Sequence, residues 1–318
     1  MLKFNQVVRQ RIGNMMMQYL LIDTSKPVVV TFAPGCEAID EKALDESKPL
    51  WGFNLLTEHK INTISFVHIG ENNYYQCRDF DAFIEMLGAE LSRFPHRVGY
   101  GVSRGGFATS LYANHLRLDR ALLLMPLSTY DNNIAPWDPK VQQATRISSL
   151  ATTNRDASIC TTPLTVIYDP LYRPDRLHIE RYSCVVCRLK LAGVGHRIPR
   201  ALQDMKILKK LVLDYIDNKL DTRSFPELIR ERRMLSYYYR NLLSNPTQKI
   251  TAKRRFILYS HRLRVQLANM EGEPERVARR MKQSLYKRKY LFECCHNQLQ
   301  QVIAERQLLL SAAMVFCL

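Results

Sequence analysis

The chain has 318 residues, and 46% of them are hydrophobic, which is enough for one large core and a smaller appended unit. No stretch reaches the roughly 20 apolar residues that span a bilayer, and residues 1–14 lack the apolar segment of a cleavable signal, so we expect a cytoplasmic protein. The net charge of +16 is uneven, because residues 221–318 hold 19 Lys and Arg against 8 Asp and Glu. This contrast predicts one domain at 1–220 and a separate basic domain at 221–318.

Strand-like and helix-like patterns alternate through the first of these domains. Residues 4–22 fit either a hairpin or a short helix. Beyond them, short apolar or β-branched runs predict strands at 27–32, 62–68, 98–102, 120–127, 163–168 and 184–191. Helical patterns follow several of these runs, at 79–93, 107–116, 174–182 and 199–220. The alternation predicts an α/β fold with a mostly parallel sheet and helices on both faces.

Residues 128–162 and the basic tail fall outside this alternation. The first segment lacks periodicity and is rich in Asn, Pro and Thr, so we interpret it as an insertion that could form a lid. The tail is predicted to be all-helical, with helices at 226–243, 250–270 and 275–312. Its charge predicts contact with an anionic membrane surface, a polyanion or a protein partner, which would place the protein at the periphery of the inner membrane. No nucleic-acid motif is present, so nucleic acid is not the favoured partner.

The segment Arg97–Ala108, RVGYGVSRGGFA, has the pattern of a nucleophile elbow. An apolar run leads into Gly-Val-Ser-Arg-Gly, and a helical run follows. Glycines on both sides suit a sharp strand-to-helix turn, because side chains there would crowd a strained serine. Ser103 is therefore the candidate nucleophile for attack on a carbonyl carbon.

Two further candidates follow predicted strands, and they give the chain order Ser, Asp, His. Asp169 follows the strand at 163–168, and His196 follows the strand at 184–191. The carboxyl ends of parallel strands meet at one edge of a sheet, so these residues could form a triad with Ser103. His196 would carry the proton and Asp169 would hold the imidazole. Asp175 is the alternative acid; we prefer Asp169, because Asp175 could instead begin the next helix.

An oxyanion hole for this serine would need two backbone N–H groups. Arg104 follows the nucleophile and would supply one of them. Ala33 or Gly35, in the loop after the strand at 27–32, would supply the other, since Pro34 has no N–H. The sequence therefore predicts where a developing negative charge would be stabilised.

Neither a metal nor a cofactor is expected. Asp175 and His178 have a metal-like spacing, but two ligands without a third make a poor site. The eight cysteines are scattered, and Cys184 and Cys187 have no second pair at ligand spacing, so we interpret them as core thiols. This cysteine usage suits a reducing compartment.

The motifs GYGVSRGGFA, LTVIYDP and GVGHRIP resemble the elbow, acid loop and histidine loop of the α/β-hydrolase superfamily. More narrowly, Trp51–Phe53, Asn73–Gln76, the elbow, Tyr168–Pro170 and His196-x-x-Pro199 resemble a poorly characterised bacterial group. Some members of that group occur with surface-polysaccharide or glycosyltransferase functions. The resemblance covers about residues 25–218. It implies a serine esterase, acyl hydrolase or acyltransferase that works through an acyl-enzyme, with an acylated glycan or glycan precursor as substrate.

Two features depart from the pattern of that group. Arg104 stands where a small residue or Met usually follows the nucleophile, and its side chain could crowd the site or bind an anionic group. Tyr74 stands where the group has Trp, and Tyr74 and Tyr75 either form a wall of the substrate pocket or pack on the sheet. The alternative function is a non-enzymatic interaction protein that keeps the fold and binds a partner through its basic tail.

Overall fold

The computed structural model describes residues 2–40, 48–70, 74–144, 146, 155–244 and 250–268. The strands in these ranges are β1 Val8–Ile12, β2 Met15–Leu20, β3 Val28–Phe32, β4 Asn62–His68, β5 Arg97–Val102, β6 Arg120–Leu124, β7 Leu164–Tyr168 and β8 Val185–Lys190. They form one eight-stranded sheet in the spatial order β1-β2-β4-β3-β5-β6-β7-β8. The six strands predicted from apolar runs are all present, at nearly their predicted bounds.

The first two strands form a hairpin, which decides between the two interpretations of residues 4–22. Strands β1 and β2 are antiparallel, with Ile12 opposite Met15, and β2 is also antiparallel to β4. The remaining neighbours in the sheet pair in parallel. The loops that follow β3, β5, β7 and β8 therefore leave the sheet at one edge, where the candidate site residues were expected to meet.

Helices cover both faces of the sheet. Their bounds are α1 Phe53–Glu58, α2 Arg78–Leu91, α3 Arg104–Tyr112, α4 Pro139–Ala144, α5 Arg173–Glu180, α6 Ile198–Asp204, α7 Leu208–Ile216, α8 Phe225–Leu228, α9 Tyr238–Leu243 and α10 Ala252–Ala268. Successive residues of β6 point to opposite faces, so Leu123 joins a core cluster with Phe107 of α3, whereas Leu122 joins one with Leu211 of α7. The mostly parallel sheet with two covered faces confirms the predicted fold class.

The described ends of the insertion at 128–162 are packed into the protein. Thr129 forms an isolated antiparallel bridge with Asp156, which holds the two ends together. Val141 and Ala144 of α4 are buried in the core cluster on the α3 face, as is Ala157 in a short 3₁₀ turn. Closure of this segment over the site stays a prediction.

The chain divides into two compact units, and the division falls after Leu258 rather than at residue 220 as predicted. The first unit includes residues 221–258, because Phe225 and Ile229 are buried in the core cluster on the α7 face. The helix predicted at 226–243 is wrong as one element: a 3₁₀ segment, Ile229–Met234, separates α8 from α9. The helix predicted at 250–270 corresponds to α10.

The second unit comprises residues 259–318, of which 259–268 are described and continue α10. The helix predicted at 275–312 lies outside the described residues. In the parts of the chain that are described, no helix is long and apolar enough to cross a membrane.

Candidate active site

Ser103 occupies the sharp turn between β5 and α3. Its backbone angles are φ 53° and ψ −113°, and its N–H donates to the carbonyl of Leu124 at 2.9 Å. A positive φ at a residue other than glycine is strained, and strain of this kind is typical of a serine presented at an elbow. The helix starts at the next residue, so its N-terminal end lies directly behind the hydroxyl.

The glycines of the motif are required by the close approach of neighbouring backbone. A Cβ at Gly105 would lie 2.0 Å from the carbonyl oxygen of Phe32 at the end of β3. A Cβ at Gly101 would lie 2.3 Å from Oγ1 of Thr109 and 2.4 Å from the carbonyl oxygen of Gly105. Helix α3 therefore packs against the sheet at distances that only glycine allows at these positions.

His196 connects Ser103 to a buried carboxylate. Its Nε2 lies 2.9 Å from Oγ of Ser103, and its Nδ1 lies 2.6 Å from Oδ1 of Asp175. The Asp175 side chain is 2% exposed and the imidazole 17% exposed. With the Nδ1 proton donated to Asp175, Nε2 is left to accept the proton of Ser103, which is the arrangement of a catalytic triad.

Asp169 does not hold the imidazole, contrary to our preference from the sequence. Its carboxylate accepts backbone N–H groups from Leu171 at 2.8 Å, Gly193 at 2.9 Å and Gly195 at 2.6 Å. Burial raises the pKa of this carboxyl group, although the three backbone donors act in the opposite direction. Asp169 therefore fixes the turn that leads into His196, and the geometry favours Asp175, the alternative acid.

The candidates for the oxyanion hole are reduced from three to two. The N–H of Ala33 donates to the carbonyl of Phe66 at 2.9 Å, so it extends the sheet pairing and is not directed at the serine. Gly35 and Arg104 remain, and both line the same cavity as Ser103. Arg104 is the first residue of α3, where backbone N–H groups point out of the helix end.

The Arg104 side chain lies against the wall of the site. A guanidinium nitrogen, Nη1, is 2.9 Å from Nε2 of His68, and Cζ lies 3.6 Å from the centre of the Tyr74 ring. Burial and the positive charge of Arg104 lower the pKa of His68 to about 4, so this imidazole is neutral near pH 7. A Cβ at Gly35 would lie 2.8 Å from Cζ of Arg104, so the guanidinium also packs on the loop after β3 that contains Gly35.

The two tyrosines predicted near the pocket have different roles. Tyr74 lines the cavity together with Ser103 and supports the Arg104 side chain. Tyr75 is fully buried, and its hydroxyl donates to the carbonyl of Ala33 at 2.9 Å. Tyr75 therefore packs on the sheet, which is the second of the two alternatives given for these tyrosines.

The cavity in front of Ser103 has a volume of about 620 Å³. It is lined by the loop after β3, the elbow, Lys140 of α4 and residues of α6, and also by Trp51, which precedes α1, and Tyr130, which follows β6. Lys140 carries no motif that would single it out in the sequence, because it lies in the aperiodic insertion. Burial lowers the pKa of Lys140, and the nearby charges of Asp175 and Asp138 oppose that shift.

A second Ser, His, Asp group is present but is arranged as a structural network. The side chains of His178, Ser128 and Asp138 are fully buried. Nδ1 of His178 accepts the backbone N–H of Ser128 at 3.0 Å and lies 2.8 Å from its Oγ, and Nε2 lies 3.1 Å from Oδ2 of Asp138. A serine without access to a cavity cannot meet a substrate, so this group stabilises the insertion.

Within the described ranges, no group of three His, Cys, Asp or Glu side chains could hold a metal ion.

The sheet, the elbow and the chain order Ser, Asp, His together define an α/β-hydrolase fold. No protein-family model matches the sequence, and a search of curated proteins finds no match. Among solved structures, the capsule O-acetyltransferase of Neisseria meningitidis serogroup A is similar at 9% identity and a TM-score of 0.46, covering 68% of this chain and 96% of that one. Est1E from Butyrivibrio proteoclasticus is similar at 12% identity and a TM-score of 0.44, covering 66% and 99%. A lipase/esterase from Lactobacillus plantarum is similar at 12% identity and a TM-score of 0.38, covering 64% and 99%.

Proposed function

We propose that the protein is a serine esterase or acyltransferase that cleaves an ester through an acyl-enzyme on Ser103. The observation that carries this proposal is the continuous contact from Oγ of Ser103 to Nε2 of His196 and from Nδ1 of His196 to Oδ1 of Asp175. The serine stands at a strained turn and faces a cavity, so a substrate carbonyl has access to it. An interaction protein that only kept the fold would not need this contact.

In the first half of the proposed reaction, Oγ of Ser103 attacks the carbonyl carbon of the ester while Nε2 of His196 takes the hydroxyl proton. The backbone N–H groups of Arg104 and Gly35 donate to the oxygen that becomes negative. His196 then gives its proton to the leaving alcohol, and the acyl group stays on Ser103. Asp175 stabilises the imidazolium that exists between these two proton transfers.

In the second half, an acceptor hydroxyl loses its proton to Nε2 of His196 and attacks the acyl carbon. The tetrahedral intermediate collapses, the proton returns to Oγ of Ser103, and the free serine is restored. Water as acceptor makes the protein an esterase, and a sugar hydroxyl makes it an acyltransferase. The motif resemblance adds an acylated glycan or glycan precursor as the substrate class to test first.

Trapping of the acyl-enzyme with 4-nitrophenyl acetate tests this proposal. We expect a burst of 4-nitrophenolate and an acetyl group on the peptide that contains Ser103, found by mass spectrometry. Ser103→Ala should lose both signals, and His196→Ala should lower the acylation rate by about 1,000-fold or more. Hydrolysis by Ser103→Ala at the rate of the native protein would remove Ser103 from the reaction.

A further inference from the structure

The cavity in front of Ser103 carries more positive than negative side chains. Arg104, Lys140, Arg197 and Arg200 line it, whereas the lining carboxylate is that of Glu37. Hydrolysis of a neutral ester does not require these additional cations, because the negative charge that develops on the carbonyl oxygen is stabilised by backbone N–H groups. Cations placed beyond the reacting atoms act instead on another part of the substrate.

Among these four cations, Lys140 is the one whose burial is least favourable in free energy. It lies in the first turn of α4, and its Nζ is buried without a hydrogen-bond acceptor among the described residues. The centre of the Tyr172 ring lies 5.9 Å from Nζ. A buried ammonium group without an acceptor is unfavourable, and a bound anion would supply the acceptor.

The negative charges near Lys140 do not supply the missing hydrogen-bond acceptor. Asp175 and Asp138 attract the ammonium group electrostatically. Asp175 bonds to His196 through Oδ1 and Asp138 bonds to His178 through Oδ2, and neither carboxylate forms a hydrogen bond with Nζ of Lys140. Among the described residues, Oδ2 of Asp175 is likewise buried without a donor. Lys140 therefore lines the cavity without a hydrogen bond from Nζ to either carboxylate.

Arg197 and Arg200, which follow His196 along the chain, both line the cavity. Arg197 and Arg200 are both exposed, at the cap and in the first turns of α6. The ion pair of Arg200 with Asp204 is long, at 3.8 Å, and the Arg200 side chain is 67% exposed. Exposed pairs of this kind contribute little free energy, so Arg200 can turn toward an anion at small cost.

We propose that the ester that reaches Ser103 carries a negative group, a carboxylate or a phosphate, which Lys140 and Arg200 bind. This inference rests on the proposed function, because it assigns the substrate of the same serine. The negative group belongs either to the acyl chain or to the alcohol, and the two positions share the same chemistry of recognition.

The test uses two pairs of 4-nitrophenyl-type phosphonates that label an activated serine. In the first pair, a carboxylate or its neutral carboxamide ends the alkyl chain on phosphorus, in the place of the acyl group. In the second pair, the carboxylate or carboxamide is on the aryloxy leaving group, in the place of the alcohol. Labelling forms the bond from Oγ of Ser103 to phosphorus, the aryloxide leaves, and the serine proton passes to His196. The rate constant for each reagent is read by intact-protein mass spectrometry.

We expect the carboxylate to react faster than the carboxamide in at least one pair, by about tenfold or more, as for one charge-assisted hydrogen bond. That pair also locates the negative group. Lys140→Met and Arg200→Gln should each reduce this ratio toward one, and the exposed Lys209→Met should keep the native ratio. If Lys140→Met does not fold, Arg200→Gln still measures the same ratio.

The outcomes separate this inference from the proposed function. Equal rates for carboxylate and carboxamide in both pairs would overturn the inference and leave an activated serine in place. A preference that persists undiminished in Lys140→Met and Arg200→Gln would also overturn it. Absence of labelling by every reagent would remove the activated serine, and the proposed function with it. A purely structural role of Lys140 would slow both reagents of a pair equally and leave their ratio unchanged.

Discussion

Asp169 and Asp175 are both buried, and their partners differ. Asp175 receives Nδ1 of His196 at 2.6 Å, whereas Asp169 accepts the backbone N–H groups of Gly193 and Gly195 at 2.9 and 2.6 Å. One carboxylate orients the imidazole, and the other fixes the turn that presents it. Replacement of each by Asn should therefore cause a different kind of damage.

We expect Asp175→Asn to lower kcat/KM for an activated ester by about 1,000-fold or more, because an amide favours the wrong imidazole tautomer and does not stabilise the imidazolium. Asp169→Asn should instead lower the free energy of unfolding by about 1–3 kcal/mol, since its amide nitrogen would face a backbone donor. Ester kinetics and urea unfolding of both variants measure these effects. A larger catalytic loss in folded Asp169→Asn than in Asp175→Asn would restore Asp169 as the acid.

The placement of Ser103 and His196 could be predicted because each follows a recognisable strand. The acid could not be chosen in the same way, since a position at a strand end does not say how the next loop closes. Here the loop folds back, with the N–H of Leu171 bonded to Asp169, and the first turn of α5 brings Asp175 to the imidazole. The placement of Tyr74 and Tyr75 stayed open for a similar reason, because sequence does not show which of two neighbouring aromatic residues faces the cavity.

The turn from β5 to α3 depends on how closely the helix approaches the sheet. Gly105 and Gly106 both lie in the first turn of α3, where alanine would otherwise be the better helix former. A Cβ at Gly105 would lie 2.0 Å from a backbone oxygen, whereas a Cβ at Gly106 would lie 3.0 Å from Cβ of Pro126. The two neighbouring glycines therefore provide a matched comparison.

We expect Gly105→Ala to lower the free energy of unfolding by about 3 kcal/mol, because backbone at the end of β3 would have to shift. Gly106→Ala should cost less than about 1.5 kcal/mol, since its contacts with Cβ and Cα of Pro126, at 3.0 and 3.1 Å, need only a slight shift at Pro126. Urea unfolding followed by circular dichroism measures both values. Equal losses in the two variants would contradict the close packing of the elbow on β3.

Strands were easier to predict than the elements of the tail. Buried parallel strands such as β3 and β7 are runs of apolar or β-branched residues, and in short segments between turns that pattern favours a strand buried on both faces. The apolar spacing within 226–243 also fits a helix, but Ile229, Leu235 and Tyr237 join the core cluster that contains residues of α6 and the sheet. Leu235, with φ −72° and ψ 128°, is extended and interrupts the helical path between α8 and α9.

The first compact unit extends well beyond the part of the chain that carries the family-like motifs. Phe225 is 2% exposed and Ile229 is 4% exposed, and both belong to the core cluster that also contains Leu211. Nε of Arg232 donates to the carbonyl of Ala192 at 3.2 Å, close to the turn that leads into His196. Residues 225–243 therefore belong to the first compact unit, although composition assigned them to the tail.

Phe225→Ala should lower the free energy of unfolding by about 3–5 kcal/mol, the usual cost of truncating a fully buried phenylalanine. Leu228→Ala, in the same short helix at 44% exposure, should change it by less than about 0.5 kcal/mol. Both variants are compared with the native chain by urea unfolding. If Phe225→Ala leaves the main transition where it is, residues 221–258 form a unit separate from the sheet.

The positive charge of the tail leads to a separate prediction about its partners. In α10, Lys253, Arg254 and Arg255 are exposed next to Phe256, whose side chain is 73% exposed. Contact of this helix with an anionic surface, a polyanion or a protein partner stays a prediction, and it is independent of the triad.

The most direct measurement of the central claim is the rate and position of labelling by a fluorophosphonate, followed by peptide mass spectrometry. The triad predicts a single adduct on Ser103 in the native protein, no adduct in Ser103→Ala, and a rate at least about 1,000-fold lower in His196→Ala. An adduct on another serine, or equal labelling of the native protein and Ser103→Ala, would contradict the assignment of Ser103 as the nucleophile.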